Sequence, residues 1–499
     1  MTSRLFVGHV CVLAALTGAV PLRADVLRNN LAGANRATWG LAADLPQGAV
    51  PSDAALPALT LPAAAQARID AMRISREPMP QLVAEMDVQI RNANQTADPV
   101  QREAAKKEWR QAMNDLEREA VTRSLLRDLY SPDQMREQMT WFWFNQFNVH
   151  ADKRDIRAMV GDYEDTIRTR SLGRFRDLLE ATLRHPAMQR YLDNDQNALG
   201  HINENYAREI MELHTMGVGS GYSQKDVQEL ARILTGVGVS LRPLPPRIKP
   251  EWQSLYLRDG LFEFNPARHD FGTKHFLGHT IRGEGYAEVE RALDLIAGHP
   301  ATARRLSTRI ATYFMGDNPP AAVIDRMTNA WRQSDGDISA VLQAMTSSPA
   351  YAASLGHAFK DPIHYVVSAV RYAYGSGRDG TVVPNLNPMI NWLNRMGEGL
   401  YNHQTPDGYP LSASAWTGPG QMEVRFEIAK SLGNGSAGLL RPGDPAMPFQ
   451  PAPPQLRNAL WSGGMDRAIT DQTRAVLDQA ASPQEWNMLF LASPDFMRR

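Results

Sequence analysis

Four short fragments give this chain the same helix-starting signal: His185-Pro-Ala-Met, His299-Pro-Ala-Thr, Ser348-Pro-Ala-Tyr and Ser493-Pro-Asp-Phe. Proline costs nothing at the first helical position, because its missing N–H has no partner there and its fixed φ suits the helix. A chain punctuated this way is built from many sharply started helices. The fragments are irregularly spaced, which argues against a solenoid repeat. Capping boxes add two more starts, Ser131-Pro132 with Gln134 and Ser223 with Asp226. Charged helical patterning runs from Ala65 to Leu129, with breaks near Pro78-Met-Pro80 and Ala97-Asp-Pro99. Pro243, Pro245, Pro246 and Pro250 exclude a helix around 240–250, and Leu261-Phe-Glu-Phe264 and His275-Phe-Leu277 read as short strands. The expected fold is mainly α: one large multi-helical domain with a small β-hairpin-like insertion around 260–280. An extended segment over 25–64 leads into the main domain, 65–433. A Pro/Gly-rich loop and closing helices, 434–499, pack on it.

The first 24 residues read as a secretory signal peptide. Arg4 precedes an apolar run from Leu5 to about Val20, and Pro21-Leu-Arg-Ala24 supplies a small residue at the cut. The only cysteine, Cys11, lies inside it, so the mature chain has no thiol for disulfides, zinc, nucleophilic catalysis or iron–sulfur clusters. No later apolar run reaches the ~18 residues of a membrane span. The expected protein is exported, periplasmic or secreted. Loss of Arg4 and Arg23 takes the 53 basic residues to 51, slightly outnumbered by the 54 acidic ones. That balance implies neither a nucleic-acid partner nor an anionic membrane.

Residues 203–217 carry the densest chemistry. At ~100° per residue, Glu204, Asn205, Arg208, Glu209 and Glu212 fall on one arc, while Tyr206, Ala207, Ile210, Met211 and Leu213 face the other way. Glu204/Arg208 and Arg208/Glu212 are spaced i,i+4, so a solvated ion-pair ladder is available. The alternative is the polar wall of a site. Asn203 and Asn205 are poor helix formers that a ladder does not need, and a ligand could use their donors and acceptors. Clustered, partly buried carboxylates repel, which raises at least one pKa towards general-acid use. Glu209 and Glu212, three apart, would also suit a divalent metal. His214 lies on the apolar side, as a core or capping histidine.

Other residues extend the candidate set. Asn145 sits among the aromatics of Trp141-Phe-Trp143-Phe-Asn145-Gln-Phe147, where a buried amide must be hydrogen-bonded. Asp193 and Asn194 form a polar loop just before the motif. His269-Asp270 lies in a Phe/Gly-rich loop, as a dyad, a substrate contact or a turn in which Asp270 bonds its own backbone. Thr405-Pro-Asp407-Gly-Tyr409 with Trp416 is a turn cluster whose aromatics would suit stacking on sugar rings. No phosphate-binding loop, Rossmann fingerprint or His-Glu-x-x-His occurs, and nothing points to a nucleotide or haem.

Several of these motifs, read together, resemble one bacterial family. They are Asn35-Arg-Ala-Thr-Trp-Gly40, Trp-Phe-Asn145, His185-Pro-Ala-Met188, Tyr191-Leu-Asp193-Asn194, Asn203-Glu-Asn205-Tyr-Ala-Arg208-Glu209, His269-Asp270-Phe-Gly272-x-Lys274 and Thr405-Pro-Asp-Gly-Tyr409. The family is domain of unknown function 1800, and the resemblance covers nearly the whole mature chain in order. It implies a largely helical, exported protein, often encoded beside a second family of exported proteins, which suggests a nearby partner. It names no reaction. It favours Glu204, Arg208 and Glu209 as site residues and brings in Lys274. Gln146 and Phe144 stand where the family often has histidine, so any metal-binding role of those histidines is in doubt here. Taken together, an exported hydrolase or lyase with carboxylate acid/base chemistry is expected, acting on an extracellular or envelope polymer such as a glycan. The competing expectation is a non-catalytic envelope protein that binds a partner protein or ligand through the same face.

Overall fold

The computed structural model describes residues 30–44, 60–442 and 452–499. The expected signal peptide lies outside these residues, as does 443–451 of the Pro/Gly-rich loop. The fold is mainly α. Part of the stretch expected to be extended is helical, over 30–37.

Asp98 starts the longest helix, Pro99–Tyr130, by accepting hydrogen bonds from the Val100 and Gln101 amides. Its second half is buried from Met113 onward along one side. The following helix, Gln134–Gln146, begins two residues later than the Ser131 signal suggests. Asp133 caps it, through the Arg136 amide. Gln134 instead bonds back to the Asp128 and Ser131 carbonyls, and its Oε1 accepts from the Trp39 amide. Every residue from Glu137 to Gln146 is buried. A helix apolar or hydrogen-bonded on all sides belongs at the centre, and here Trp143 packs on Phe147 and Phe175, and Phe144 on Tyr163 and Tyr401.

The proline signals hold at three of the four fragments. His185, His299 and Ser348 cap the helices Pro186–Tyr191, Pro300–Met315 and Pro349–Ser354. Ser493-Pro-Asp-Phe makes only a turn, closed by the Phe496 amide on Ser493 Oγ. The Ser223/Asp226 capping box opens helix Gln224–Ile233. The β insertion is larger than a hairpin. Val237–Val239, Phe262–Phe264 and Leu257–Asp259 form an antiparallel three-stranded sheet with Phe262–Phe264 in the middle. Lys274–Phe276 pairs with His279–Ile281 as a separate hairpin. One buried apolar cluster runs from Leu31 to Met497 and joins these elements, except the exposed edge strand Leu257–Asp259.

Candidate functional site

The motif helix is short. Asn205–Glu209 is α-helical, and Ile210–His214 widens into a π turn. Such π turns recur at functional sites because the extra residue re-aims side chains. The asparagines before it are structural ties. Asn203 Oδ1 accepts from the Asn205 amide, and Asn203 Nδ2 donates to the Asp193 carbonyl. Asn205 Nδ2 donates to the Leu192 carbonyl, although Asn205 is exposed overall. Asn194 is buried and bonded to Gln189 and the Val237 carbonyl. Asp193 is paired with Lys153 at 2.8 Å. These polar groups therefore fix the loop that launches the motif helix.

The carboxylates divide into two sets. Arg208 pairs with Glu204 at 3.1 Å and with Glu212 at 3.2 Å, and Gln224 bridges Glu204 and Arg208. The ladder spacing is thus realised at a partly exposed surface. Glu209 stands outside it. Half-buried, its side chain has no hydrogen-bond or ion-pair partner among the described residues. Burial raises its pKa, repulsion from Glu212 and Asp407 adds to that, and Arg208 opposes.

Asp407 arrives from the loop 401–409. Its carboxylate accepts from Thr405 Oγ1 at 2.5 Å and lies 3.3 Å from His403 Nε2. Burial would raise its pKa, but the Thr405 and His403 bonds outweigh it and hold the group below its usual value. The loop is clamped from the central helix. Asn145 Nδ2 donates to the Tyr409 carbonyl at 2.9 Å, and the Tyr409 amide donates to Asn145 Oδ1 at 2.6 Å. Asn148 Nδ2 holds the His403 and Thr405 carbonyls. Gly408 makes the clamp possible: it has φ +71°, and a Cβ there would lie 2.0 Å from the Asn145 carbonyl oxygen. Asn145 therefore positions the loop. Tyr409 and Trp416, expected to offer exposed faces to a sugar, are buried; their polar atoms bond to the Gly399 and Pro410 carbonyls.

The β insertion forms a separate cluster. His269 Nδ1 donates to the Thr235 carbonyl at 2.7 Å, and Nε2 lies 2.8 Å from Glu288 Oε1. Lys274 pairs with the same carboxylate, and all three side chains are fully buried. Burial would raise the Glu288 pKa, and His269 and Lys274 together bring it below normal. Asp270 accepts from the Gly272 amide, the expected turn, and pairs with Arg232 at 2.8 Å. These groups knit the insertion to helices Gln224–Ile233 and Tyr286–Ala297. Among the described residues, none of their bonds reaches the motif helix.

Two arginines absent from the sequence reading lie beside His214. Arg305 and Arg309 lie one turn apart on helix Pro300–Met315. Arg309 has no hydrogen-bond or ion-pair partner among the described residues, and its Nε is buried. Arg305 has one long bond, 3.4 Å to the Thr215 carbonyl, and its Cδ would lie 2.7 Å from a Cβ on Gly217 (φ +93°). His214 is buried beside them. Burial lowers its pKa to about 3, with Arg305 and Arg309 contributing. The Pro406 carbonyl lies near its ring, outside hydrogen-bonding geometry. Gln146 Nε2 caps the π turn through the Leu213 and His214 carbonyls, and its Oε1 has no partner. No three His, Cys, Asp or Glu side chains converge as metal ligands among the described residues. A polar groove of about 600 Å³, lined by Asn114, Asn387, Asn391 and Asn402 among others, reaches the residue next to His403.

The mainly α architecture and the Asn203–Glu209 wall define the class to which the chain is compared. The family model described as protein of unknown function (DUF1800) matches residues 33–498, and the chain belongs to that family. Neither the comparison with curated proteins nor that with solved structures finds a match. Among the described residues no helix is long and apolar enough to cross a membrane.

Proposed function

We propose that the protein is an exported hydrolase or lyase that acts on an extracellular or envelope polymer, a glycan in particular, by carboxylate acid/base chemistry. The observation that carries this reading is the opposed pair Glu209 and Asp407. They are close enough to repel, yet their surroundings push one pKa up and the other down. Such a pair assigns its own roles. Glu209, whose pKa burial and the neighbouring carboxylates raise, gives its proton to the leaving oxygen. Asp407, held ionised and steadied by Thr405 and His403, takes a proton from water or from the substrate. Arg208 and Glu212 set the field around Glu209. The polar groove, lined by asparagines together with Glu117, Arg118, Asp152 and Arg157, offers donors and acceptors to the hydroxyls of a chain-like substrate. Export rests on the signal-peptide pattern, and a divalent metal at the carboxylates remains part of the test.

The test is a screen of the mature protein against glycans and ester and phosphate substrates, with and without divalent metal. Glu209→Gln should abolish any turnover found while leaving the fold intact. The kcat/KM profile should fall above the ordinary glutamate range, where Glu209 deprotonates, and below the ordinary aspartate range, where Asp407 protonates. Unchanged turnover in Glu209→Gln removes Glu209 from the chemistry. The second reading is a non-catalytic surface for an exported partner, favoured by the half-exposed Arg208–Glu204–Glu212–Gln224 lattice. It predicts no turnover in the screen and loss of partner capture on Arg208→Glu.

A further inference from the structure

The four prolines that bar a helix around 240–250, Pro243, Pro245, Pro246 and Pro250, take no part in the motif wall. They lie in the connection between strands Val237–Val239 and Leu257–Asp259. Proline fixes its own φ and drives the residue before it towards extended or polyproline II backbone. The pattern therefore sets the backbone of Pro245, Pro246, Lys249 and Pro250 before any packing is considered. The structure agrees. After a bend at Pro243-Leu244, residues 245–249 belong to no helix, strand or turn, and Lys249 has φ −58° and ψ 144°, close to polyproline II. Residues 243–248 make no backbone hydrogen bond among the described residues, as that open helix requires.

Both ends of this arm are tied down. The Ser240 amide donates to the Leu261 carbonyl at 2.8 Å, and Arg258 Nη2 donates to the Arg242 carbonyl at 2.6 Å. At the far end Trp252 stacks on Phe271. The arm is thus held out in one shape, which lowers the entropy lost when a partner takes it.

Its side chains describe that partner. Leu244, at the bend, is 75% exposed. Pro245, Arg247, Lys249 and Pro250 are exposed as well, while Pro246 and Ile248 are half-buried. Arg242, Arg247 and Lys249 have no ion pair among the described residues; Lys249 Nζ lies 4.8 Å from the centre of the Trp252 ring. Glu251 is the one acidic residue in 241–256. Polyproline II ridges dock between aromatic rings, and three unpaired cations call for carboxylates around such a groove. An anionic membrane fits less well, because the arm has few charges and no amphipathic helix to bury.

We propose that the arm 242–250 is the docking segment for a protein partner whose groove is lined with aromatic side chains and rimmed with carboxylates. Docking here is independent of any chemistry at Glu209.

Fluorescence anisotropy on the mature protein provides the test. The probe is a labelled WW domain of the kind that takes Pro-Pro-Arg ligands. Its controls are the same domain with the groove tryptophan changed to alanine, and phosphatidylglycerol vesicles. The intact domain binds, the groove variant does not, and affinity falls as salt is raised. Pro245→Ala together with Pro246→Ala weakens binding by roughly tenfold or more, the loss expected of a pocket-filling anchor. Arg247→Glu also weakens it and flattens the salt dependence. Arg247→Glu changes one exposed side chain, so it keeps the test open if the proline exchange unsettles the loop. Each variant keeps the parent's thermal midpoint within a few degrees. No binding of the intact domain, equal binding of its groove variant, parent-like affinity in both arm variants, or displacement of the domain by the vesicles would each overturn the docking role.

Discussion

His214 shows how one side chain records its surroundings. It is 1% exposed, and it titrates near 3 in place of its ordinary 6.5. Between those values the unfolded chain binds a proton that the folded chain refuses. Its contribution to stability is therefore complete above pH 6.5 and is lost as pH falls towards 3, by ~1.4 kcal/mol per pH unit. Urea unfolding of the parent and of His214→Gln at several pH values should show the parent's slope steeper by about that amount in this window. Parallel slopes would mean that the ring is already protonated in the fold. His214 is also the residue whose role the sequence conveyed best: the wheel placed it on the apolar side, and it is there. Glu209 and Glu212 looked equivalent on the same wheel. Only the i,i+4 partner Arg208, which takes Glu212 and leaves Glu209 free, separates them.

At the scale of elements, the loop 401–409 depends on the central helix more than on itself. Asn145 meets both polar groups of the Tyr409 backbone. Asn145→Ala strands a buried N–H and a buried C=O, at about 1–3 kcal/mol for each. The expected outcome is a lower urea midpoint together with a loss of any turnover that depends on Asp407. A fall in stability with turnover intact would separate the loop from the chemistry. Several element boundaries were legible because their signals are local. Ser223/Asp226, His185-Pro and His299-Pro each act within one turn. Ser131 failed because Asp133, two residues on, provides an ionised acceptor and takes the cap. The π turn was illegible, since Gln146, more than 60 residues away, supplies the donor for the Leu213 and His214 carbonyls that it leaves open.

At the scale of the molecule, the ends of the described chain close on the centre. Arg499 donates to Gln138 Oε1 at 3.1 Å on the central helix and to the Tyr313 carbonyl at 2.5 Å. Arg36 reaches the Arg499 carbonyl from the helix at 30–37. With one apolar cluster running from Leu31 to Met497, losing this tie should be felt everywhere at once. Arg499→Ala should cost about 1–3 kcal/mol, the range for a buried acceptor left unpaired. Circular dichroism and tryptophan fluorescence should report the same shifted midpoint. If the two probes separate, the C-terminal helices unfold on their own.

The sequence by itself determined that the chain is mainly helical, where most of its helices begin, and that the Asn203–Glu209 segment carries a polar face. Those properties depend on side chains within a turn or two of one another, where periodicity and capping act directly. The tertiary structure alone decided which polar residues stand together. Asp193, Asn194, Asn203 and Asn205 became the scaffold of the motif helix. His269, Asp270 and Lys274 went to a buried cluster of their own. Asp407 came to Glu209, and Arg305 and Arg309 to His214, from elements some 100–200 residues away. No local rule encodes that meeting, because it follows from how helices pack around the buried Gln134–Gln146 helix.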